Sequence, residues 1–559
     1  LDELRSSALV RGVQVLRGQA VSSGGSAYQV FLDALRALAL DGTLDDFEAA
    51  VLKELIPELP ALLGRALADA PLQSPQAAQQ RLHRVLSSVL TRSPGPTLLL
   101  LEDLHWASPE SLELLRALHA EAPKHALLIV VSYRADERPD LPELFPTAEH
   151  LLLHRLTPEE IAALSASMLG DVGTQPELVA LLARETEGNA FFIVEVVRTL
   201  AEEAGGLQQV GKRTLPRHVF SGGVQAVVRR RLQRVPEWAR PLLKLAAVAG
   251  RRIDRKLLGA LEPELSSWLQ CCSNAAILEV SDAEWRFAHD KLREGLLSEL
   301  PVEERRALHS QVGHLLERVY GIEGPHASML AYHFEEAQEL ARAAHYLSMA
   351  GGLALRRGAV KEATGLLKRA LPLQEQTGAP LLERAATLRR LARAHYGIGE
   401  VEECLQATKR AMNLLGRGLP QTRLGRLLAI ARESAVEVHN RFFGPRLVED
   451  LVEQAVAREF LSLVRSTGET LFVTKVAPDE VLYILLCALH AVRSAASASG
   501  RPPRAAKMAA SHSRPCATPM DVGRSLRPSK ASYIAQSPSS RRRAATAASP
   551  SPRRRCSSR

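Results

Sequence analysis

Aromatic residues are scarce in this chain, at 4% of 559 residues, although hydrophobic residues together make up 46%. Leu, Ala and Val must therefore build the cores, and such cores favour helices over aromatic-rich β-sandwiches. Cysteine is also rare. The six cysteines include no C-x-x-C pair and no metal-ligand spacing with histidine. This pattern predicts reduced thiols and argues against a disulfide scaffold or a zinc site.

Long hydrophobic runs are missing as well. The strongest run, Leu98 to Leu101, ends at Glu102 and Asp103, and it is far shorter than the roughly 20 residues that span a bilayer. No signal peptide is visible. We therefore predict a cytoplasmic protein that does not contact a membrane.

Acidic residues almost vanish from the C-terminal tail. Residues 501–559 hold twelve Arg and two Lys against the single acid Asp521, a local charge of +13. Since the whole chain carries +9, the first 500 residues carry −4, so the basic pI does not indicate nucleic-acid binding by the folded part. From about residue 494, Ser, Ala, Pro and Arg dominate. This composition predicts a disordered basic tail over 494–559, or a terminus that is out of frame.

Residues 1–155 alternate between helical and strand-like patterns. Three apolar β-like runs, Thr97 to Leu101, Leu127 to Ser132 and His150 to His154, are separated by enough residues for crossover helices. The spacing predicts a parallel sheet with helices on its faces.

The rest of the chain is predicted to be mostly helical. Residues 156–212 form a helical lid that starts at a capping box of Thr157 and Glu160. Short helices followed by a hairpin predict a winged-helix-like domain over 213–302. Residues 303–493 read as helix after helix, and the segment around Gly358 recurs around Gly399, 41 residues later. Tetratricopeptide units repeat every ~34 residues, so we predict tetratricopeptide-like repeats with longer turns, whose concave face binds a protein partner.

The sharpest chemical signal is a pair of acids, Glu102 and Asp103, directly after the run Leu98 to Leu101. Ligands of doubly wound sheets bind at the carboxyl ends of the strands. Phosphoryl transfer needs a metal contact and a group that positions water, and adjacent carboxylates supply both. Arg134 ends the next apolar run, where a guanidinium could bind a γ-phosphate. The alternatives are acids that only cap a helix and an arginine in a surface ion pair.

Four blocks in this order resemble one family: Glu102 to Ala107, Ser132 to Glu137, Glu187 to Phe192, and Arg286 to Asp290. They are similar to the signal transduction ATPases with numerous domains (STAND). Within that class they resemble the AAA-like predicted ATPases attached to bacterial Ser/Thr kinases, adenylate cyclases and transcription activators. The resemblance covers about residues 1–415.

The resemblance implies an α/β P-loop NTPase core over 1–155, followed by the lid, the winged-helix-like domain and an all-α tetratricopeptide-type solenoid. It also implies ATP and Mg²⁺ as cofactors. By the resemblance, Glu102 and Asp103 are the Walker B acids that face Mg²⁺, Asp103 is the catalytic one, and Arg134 is the sensor arginine. Gly188 and Asn189 belong to a block at the nucleotide.

Two features depart from the family pattern. No G-x-x-x-x-G-K-[ST] motif occurs, and the only Gly-Lys pair, Gly211-Lys212, is followed by Arg213. The sheet is therefore expected to be incomplete, without its first strand and Walker A loop, and Leu1 is expected to lie inside a truncated helix. Without that loop the chain should bind nucleotide weakly or not at all. The family also usually has proline where this chain has Ala190.

The sequence thus predicts an ATP-dependent regulatory switch. Two alternatives stay open: a non-catalytic repeat scaffold with a vestigial ATPase, and the regulatory part of a bacterial Ser/Thr kinase, or of another effector, whose catalytic domain lies upstream. DNA binding is disfavoured because the helix before the hairpin, Glu262 to Cys272, contains two Glu and no Lys or Arg. The nearby basic cluster Arg251, Arg252, Arg255 and Lys256 is equally consistent with a solvated face, and packing of this domain within the molecule is favoured over DNA contact.

Overall fold

The computed structural model describes residues 1–21, 25–42, 44–71, 73–93, 95–206, 210, 229–281, 284–322, 324–443, 450–473 and 477–496. All of them belong to one compact unit, Leu1–Arg501. The Gly211-Lys212 pair and residues 497–559 of the predicted tail lie outside the described residues. In the described part, no helix is long and apolar enough to cross a membrane.

The N-terminal part is built on a parallel sheet of three strands, β1 (Gln14–Gln19), β2 (Thr97–Glu102) and β3 (Leu127–Val131), in the order β1-β2-β3. Its helices are α1 (Asp2–Val10), α2 (Leu32–Leu40), α3 (Asp46–Leu52), α4 (Leu59–Leu62), α5 (Pro75–Thr91), α6 (Pro109–Glu121) and α7 (Leu141–Leu144). The predicted parallel sheet is confirmed.

Strand β2 is buried on both faces, because helices pack on each side of it. Leu99 and Leu101 belong to a core that includes residues of α2, α5 and α6. Leu98 and Leu100 pack on the other face with Ala8 of α1. In the sheet register Gln19 lies opposite Glu102, and Leu101 lies opposite Val131. The carboxyl ends of all three strands therefore meet at one edge.

The predicted strand at His150–His154 is wrong. This segment has no regular secondary structure, and Leu151, Leu152 and Leu153 are 81%, 67% and 91% exposed. Within the described residues, β3 pairs only with β2. An apolar run forms a strand only when a neighbour supplies the ladder of backbone hydrogen bonds, and this segment has no such neighbour there.

The predicted lid region contains α8 (Pro158–Leu169), α9 (Pro176–Thr186) and α10 (Ala190–Ala204). The capping box is confirmed: Thr157 Oγ1 accepts from Glu160 N at 3.3 Å, and Glu160 Oε2 accepts from Thr157 N at 2.8 Å. Next come α11 (Arg240–Ala249), α12 (Arg255–Gly259), α13 (Leu265–Asn274), the antiparallel hairpin β4 (Leu278–Ser281) and β5 (Glu284–Phe287), and α14 (Asp290–Ser298). Their grouping as a winged-helix-like domain stays a prediction, as do the domain boundaries.

The remaining described chain is helical throughout. It comprises α15 (Val302–Tyr320), α16 (Ala327–Glu336), α17 (Leu340–Arg356), α18 (Val360–Gln376), α19 (Leu381–Ile398), α20 (Val401–Leu414), α21 (Arg423–Phe443), α22 (Leu451–Val473) and α23 (Pro478–Ala496). Gly358 and Gly399 take φ angles of +71° and +85° and stand two residues before α18 and α20. The internal repeat read from the sequence is therefore a structural repeat, and the expected helical solenoid is confirmed.

Candidate functional site

The predicted acids and the predicted arginine lie at adjoining strand ends of the sheet. Ser132 N donates to Leu101 O at 2.9 Å, and Leu104 N donates to Ser132 O at 2.8 Å. One step further, Arg134 N donates to His105 Nδ1 at 3.3 Å. The segments after β2 and β3 thus stay hydrogen-bonded beyond the strands, and they bring Asp103 and Arg134 to the same edge.

Asp103 has an unusual backbone. Its φ of +56° places it in the left-handed region, where non-glycine residues are uncommon and where strain concentrates at functional sites. Asp103 N donates to Ser132 Oγ at 3.3 Å, which ties this turn to the neighbouring strand end. Glu102, the last residue of β2, and Asp103 bind different partners, Arg17 and Gln19 respectively.

Glu102 is held by an arginine from the neighbouring strand. Arg17 on β1 donates from Nε to Glu102 Oε1 at 2.7 Å, and its Nη2 lies 2.5 Å from the same oxygen. Both side chains are largely buried, so this charge-assisted pair is stronger than an exposed one. Sequence reasoning missed Arg17. The available signal was an arginine directly after the apolar pair Val15 and Leu16.

Asp103 makes two side-chain contacts. Gln19 Nε2 donates to Asp103 Oδ2 at 2.6 Å, and Arg251 Nη1 donates to the same oxygen at 3.3 Å. Arg251 also forms an ion pair with Asp290, with Nε to Oδ1 at 3.1 Å. Arg251, which lies 148 residues away in the chain, is thus hydrogen-bonded to the predicted catalytic acid.

Arg134 pairs with acids on both sides. It donates to Glu137 Oε1 at 2.8 Å and to Glu294 Oε1, on α14, at 3.3 Å. Its guanidinium carbon lies 5.9 Å from the centre of the Trp106 ring. Burial alone would raise the pKa of Glu294, but hydrogen bonds from Lys291 and Arg134 bring that pKa below its usual value. Glu294 is therefore negatively charged, and it forms an ion pair with Arg134, the predicted γ-phosphate sensor.

His105 is a neutral hydrogen-bond acceptor that connects the segments after β2 and β3. Burial lowers the pKa of the buried His105 imidazole, against the opposing charge of Glu137. The neutral ring accepts the Arg134 N–H at Nδ1, a hydrogen bond that an imidazolium could not accept.

Gly188 and Asn189 lie in the lid, and their observed bonds are structural. Asn189 caps α10, because its Oδ1 accepts from Phe191 N at 3.1 Å and from Phe192 N at 3.4 Å. Gly188 has φ +77°, and a Cβ there would lie 2.4 Å from Leu156 O. Among the described residues, neither one contacts the acids or Arg134. A nucleotide role for both stays a prediction.

The residues at the sheet edge fit the protein side of a magnesium–phosphate site. Mg²⁺ is usually bound by one or two carboxylates together with substrate phosphates, and Glu102 and Asp103 supply carboxylates at the right edge. The described residues contain no group of three or more His, Cys, Asp or Glu that would hold a metal alone. The sequence contains no G-x-x-x-x-G-K-[ST] loop, so the usual cradle for the phosphates is not provided by these residues.

Comparison with known proteins finds a similarity in the N-terminal part. Residues 1–131 match the AAA ATPase domain. An uncharacterized protein of Rhizobium meliloti (strain 1021) is 25% identical over 319 residues, which cover 54% of this chain and 30% of that protein. The chain therefore matches less than a third of the length of this relative.

A crystal structure from Pyrococcus horikoshii, of a STAND protein with a tetratricopeptide repeat sensor, aligns with 87% of this chain and 76% of its own. The sequence identity is 13% and the TM-score 0.31. The match to the AAA ATPase domain spans the whole sheet and both acids. The recognition of an AAA-like ATPase domain is thus supported over residues 1–131, and the helices from Val302 to Ala496 follow it.

Proposed function

We propose that this chain is the ATPase and repeat part of an ATP-dependent regulatory switch in the cytoplasm. One observation supports the proposal: the predicted catalytic acid and the predicted sensor arginine both form ion pairs with the predicted winged-helix-like domain. Arg251 binds Asp103 and Asp290, while Glu294 binds Arg134. We call these ion pairs the latch.

The latch links nucleotide occupancy to domain packing. Arg134 is the group that would bind a γ-phosphate, and Asp103 and Glu102 are the groups that would face Mg²⁺ and the attacking water. Each of these residues must exchange a present partner for the nucleotide, so Mg-ATP and the closed latch compete. A ligand that binds only one of two packings shifts the population toward it. The repeats would pass this change to a protein partner or to an effector domain.

The Asp103→Asn variant is expected to bind ATP but to lose hydrolysis by at least about 100-fold, because the amide cannot act as a base on the water. Phosphate release and ATP affinity are measured on the protein encoded by the complete reading frame. Asp136→Asn, in a neighbouring loop, is the control. If both variants hydrolyse ATP like the wild type, or if the wild type binds no ATP, the switch is rejected.

That last outcome favours a non-catalytic repeat scaffold with a vestigial ATPase. The absence of a G-x-x-x-x-G-K-[ST] loop from this sequence is the observation in favour of that second candidate. An attached Ser/Thr kinase is compatible with both functions.

Opening the latch should tighten nucleotide binding. Arg251→Ala removes the partly buried partner of Asp103, a contact worth about 1 kcal/mol, so the affinity for Mg-ATP should rise about fivefold. Calorimetric titration of the product of the complete reading frame measures this change. Arg255→Ala is the control, because it removes an exposed arginine of the same cluster and should leave the affinity unchanged. A weaker affinity in Arg251→Ala would contradict the latch and make Arg251 a phosphate ligand.

A further inference from the structure

Helices α17 and α18, which we call the first repeat, share one hydrophobic core with the ATPase core. Leu355, Val360 and Leu367 of the repeat belong to the same buried cluster as Leu99 and Leu101 of the sheet. Polar groups close the edge of this contact, and two of them are carboxyl groups. The contact therefore combines apolar burial, which favours docking at any pH, with ionisable groups, whose effect on docking depends on pH.

Glu110 and Glu362 meet where the N-terminus of α18 approaches the N-terminus of α6. Glu110 Oε1 accepts from Glu362 N at 2.9 Å, and Glu362 Oε2 accepts from Ala27 N at 2.7 Å. Glu110 is fully buried, and its Oε2 has no hydrogen-bond partner. Glu362 is half-buried and lines a partly open cavity of about 170 Å³. Each side chain therefore bridges the ATPase core and the repeat.

Among the described residues, no Lys or Arg forms an ion pair with Glu110 or Glu362. Of the described titratable or charged groups, Tyr28, Glu113, Arg357 and Lys361 interact with the pair. Glu54 and His83 contact Arg357 and Tyr28, respectively. The two cations are engaged elsewhere, because Arg357 Nε donates to Glu54 O at 2.8 Å and Lys361 pairs with Glu113. Within the described residues, neither Glu110 nor Glu362 belongs to an ion pair.

Two carboxylates in such a place cannot both stay charged. Burial and, to a smaller extent, the nearby Glu110 raise the pKa of Glu362 to about 8, although the Ala27 N–H and Arg357 act in the opposite direction. Burial also raises the pKa of Glu110. Burial of an unpaired charge is unfavourable enough that the group takes up a proton instead.

We propose that the first repeat docks on the ATPase core through a protonated Glu110–Glu362 pair, and that this docking loosens as the proton is lost. The undocked carboxyl groups ionise near pH 4.5, whereas the docked Glu362 ionises near pH 8. A group whose docked pKa is raised favours docking fully below the undocked value, and that contribution is lost progressively as the pH rises between the two values. No nucleotide takes part, so the inference does not depend on the proposed switch.

Hydrogen–deuterium exchange tests the inference on the whole chain without nucleotide. The peptides that contain the amides of Ala27 and Glu362 should lose about tenfold or more of their protection between pH 6 and pH 9, after correction for intrinsic exchange rates. Glu362→Gln, which is neutral at every pH, should abolish this dependence. Glu403 occupies the same place in the next repeat and is exposed, so Glu403→Gln should behave like the wild type.

Infrared spectroscopy of the wild type gives a second measurement that needs no variant. A protonated carboxylic acid C=O band should be present at pH 7 and lost above pH 9. Protection that is constant from pH 6 to pH 9, a loss of pH dependence in Glu403→Gln, or the absence of that band at pH 7 would each overturn the proposal. If Glu362→Gln fails to fold, the infrared band decides the question.

Discussion

Replacement of Glu195 by Gln is expected to lower the free energy of unfolding by about 3–5 kcal/mol, because it leaves a buried arginine without its counter-charge. Glu195 on α10 pairs with Arg231, and the two side chains are 5% and 7% exposed. Arg231 Nε donates to Glu195 Oε2 at 2.6 Å, and its Nη1 donates to Ala276 O at 2.6 Å. Burial lowers the pKa of Arg231, against the charge of Glu195. The pair thus joins the lid to the turn before β4.

The same helix provides the control. Glu203 pairs with Arg230 at 2.9 Å, but these side chains are 50% and 36% exposed, so Glu203→Gln should change stability by less than about 1 kcal/mol. Urea unfolding followed by tryptophan fluorescence measures the difference. Three of the four tryptophans, Trp238, Trp268 and Trp285, lie in the part of the chain that contains Arg231 and Ala276. Equal losses in the two variants would contradict the argument. The double replacement Glu195→Leu with Arg231→Met should recover most of the stability, since it removes both charges.

The position of the acids and of Arg134 could be predicted because it depends on local pattern alone. An apolar run that ends in polar residues marks a strand and its carboxyl end, and parallel strands place these ends together. Their partners could not be predicted in the same way. Arg251 and Glu294 lie 148 and 160 residues from the groups they bind, and no local pattern encodes such a separation. The positions of these residues could therefore be predicted from the sequence, whereas their ion-pair partners could not.

The strand predicted at 150–154 shows the opposite limit. Its composition was suitable, but a strand also needs a hydrogen-bonding neighbour, which local sequence does not report.

The repeat shows a third case. Gly358 and Gly399 look equivalent in the sequence, and both end a turn before a helix. Only the structure shows that the first lies against the ATPase core.

This difference predicts that Gly358→Ala is far more damaging than Gly399→Ala. Both glycines have positive φ, so alanine should cost each site about 1 kcal/mol through backbone strain. At Gly358 a Cβ would also lie 2.6 Å from Gln79 N and 2.7 Å from Gln79 Cα, whereas at Gly399 nothing lies within 4 Å. A clash with backbone cannot be relieved by a rotamer change, and it should add about 1–3 kcal/mol.

Thermal unfolding of the two variants measures the total loss, and hydrogen–deuterium exchange locates it. Gly358→Ala should raise exchange in the peptides around Ala27 and Glu362, because the repeat can no longer approach Gln79. Gly399→Ala should leave those peptides protected, since its strain is confined to the turn before α20. Because the two glycines share the sign of φ and the position in the repeat, any excess loss at Gly358 measures the contact with the ATPase core. Equal losses would mean that this contact contributes nothing to the stability of the chain.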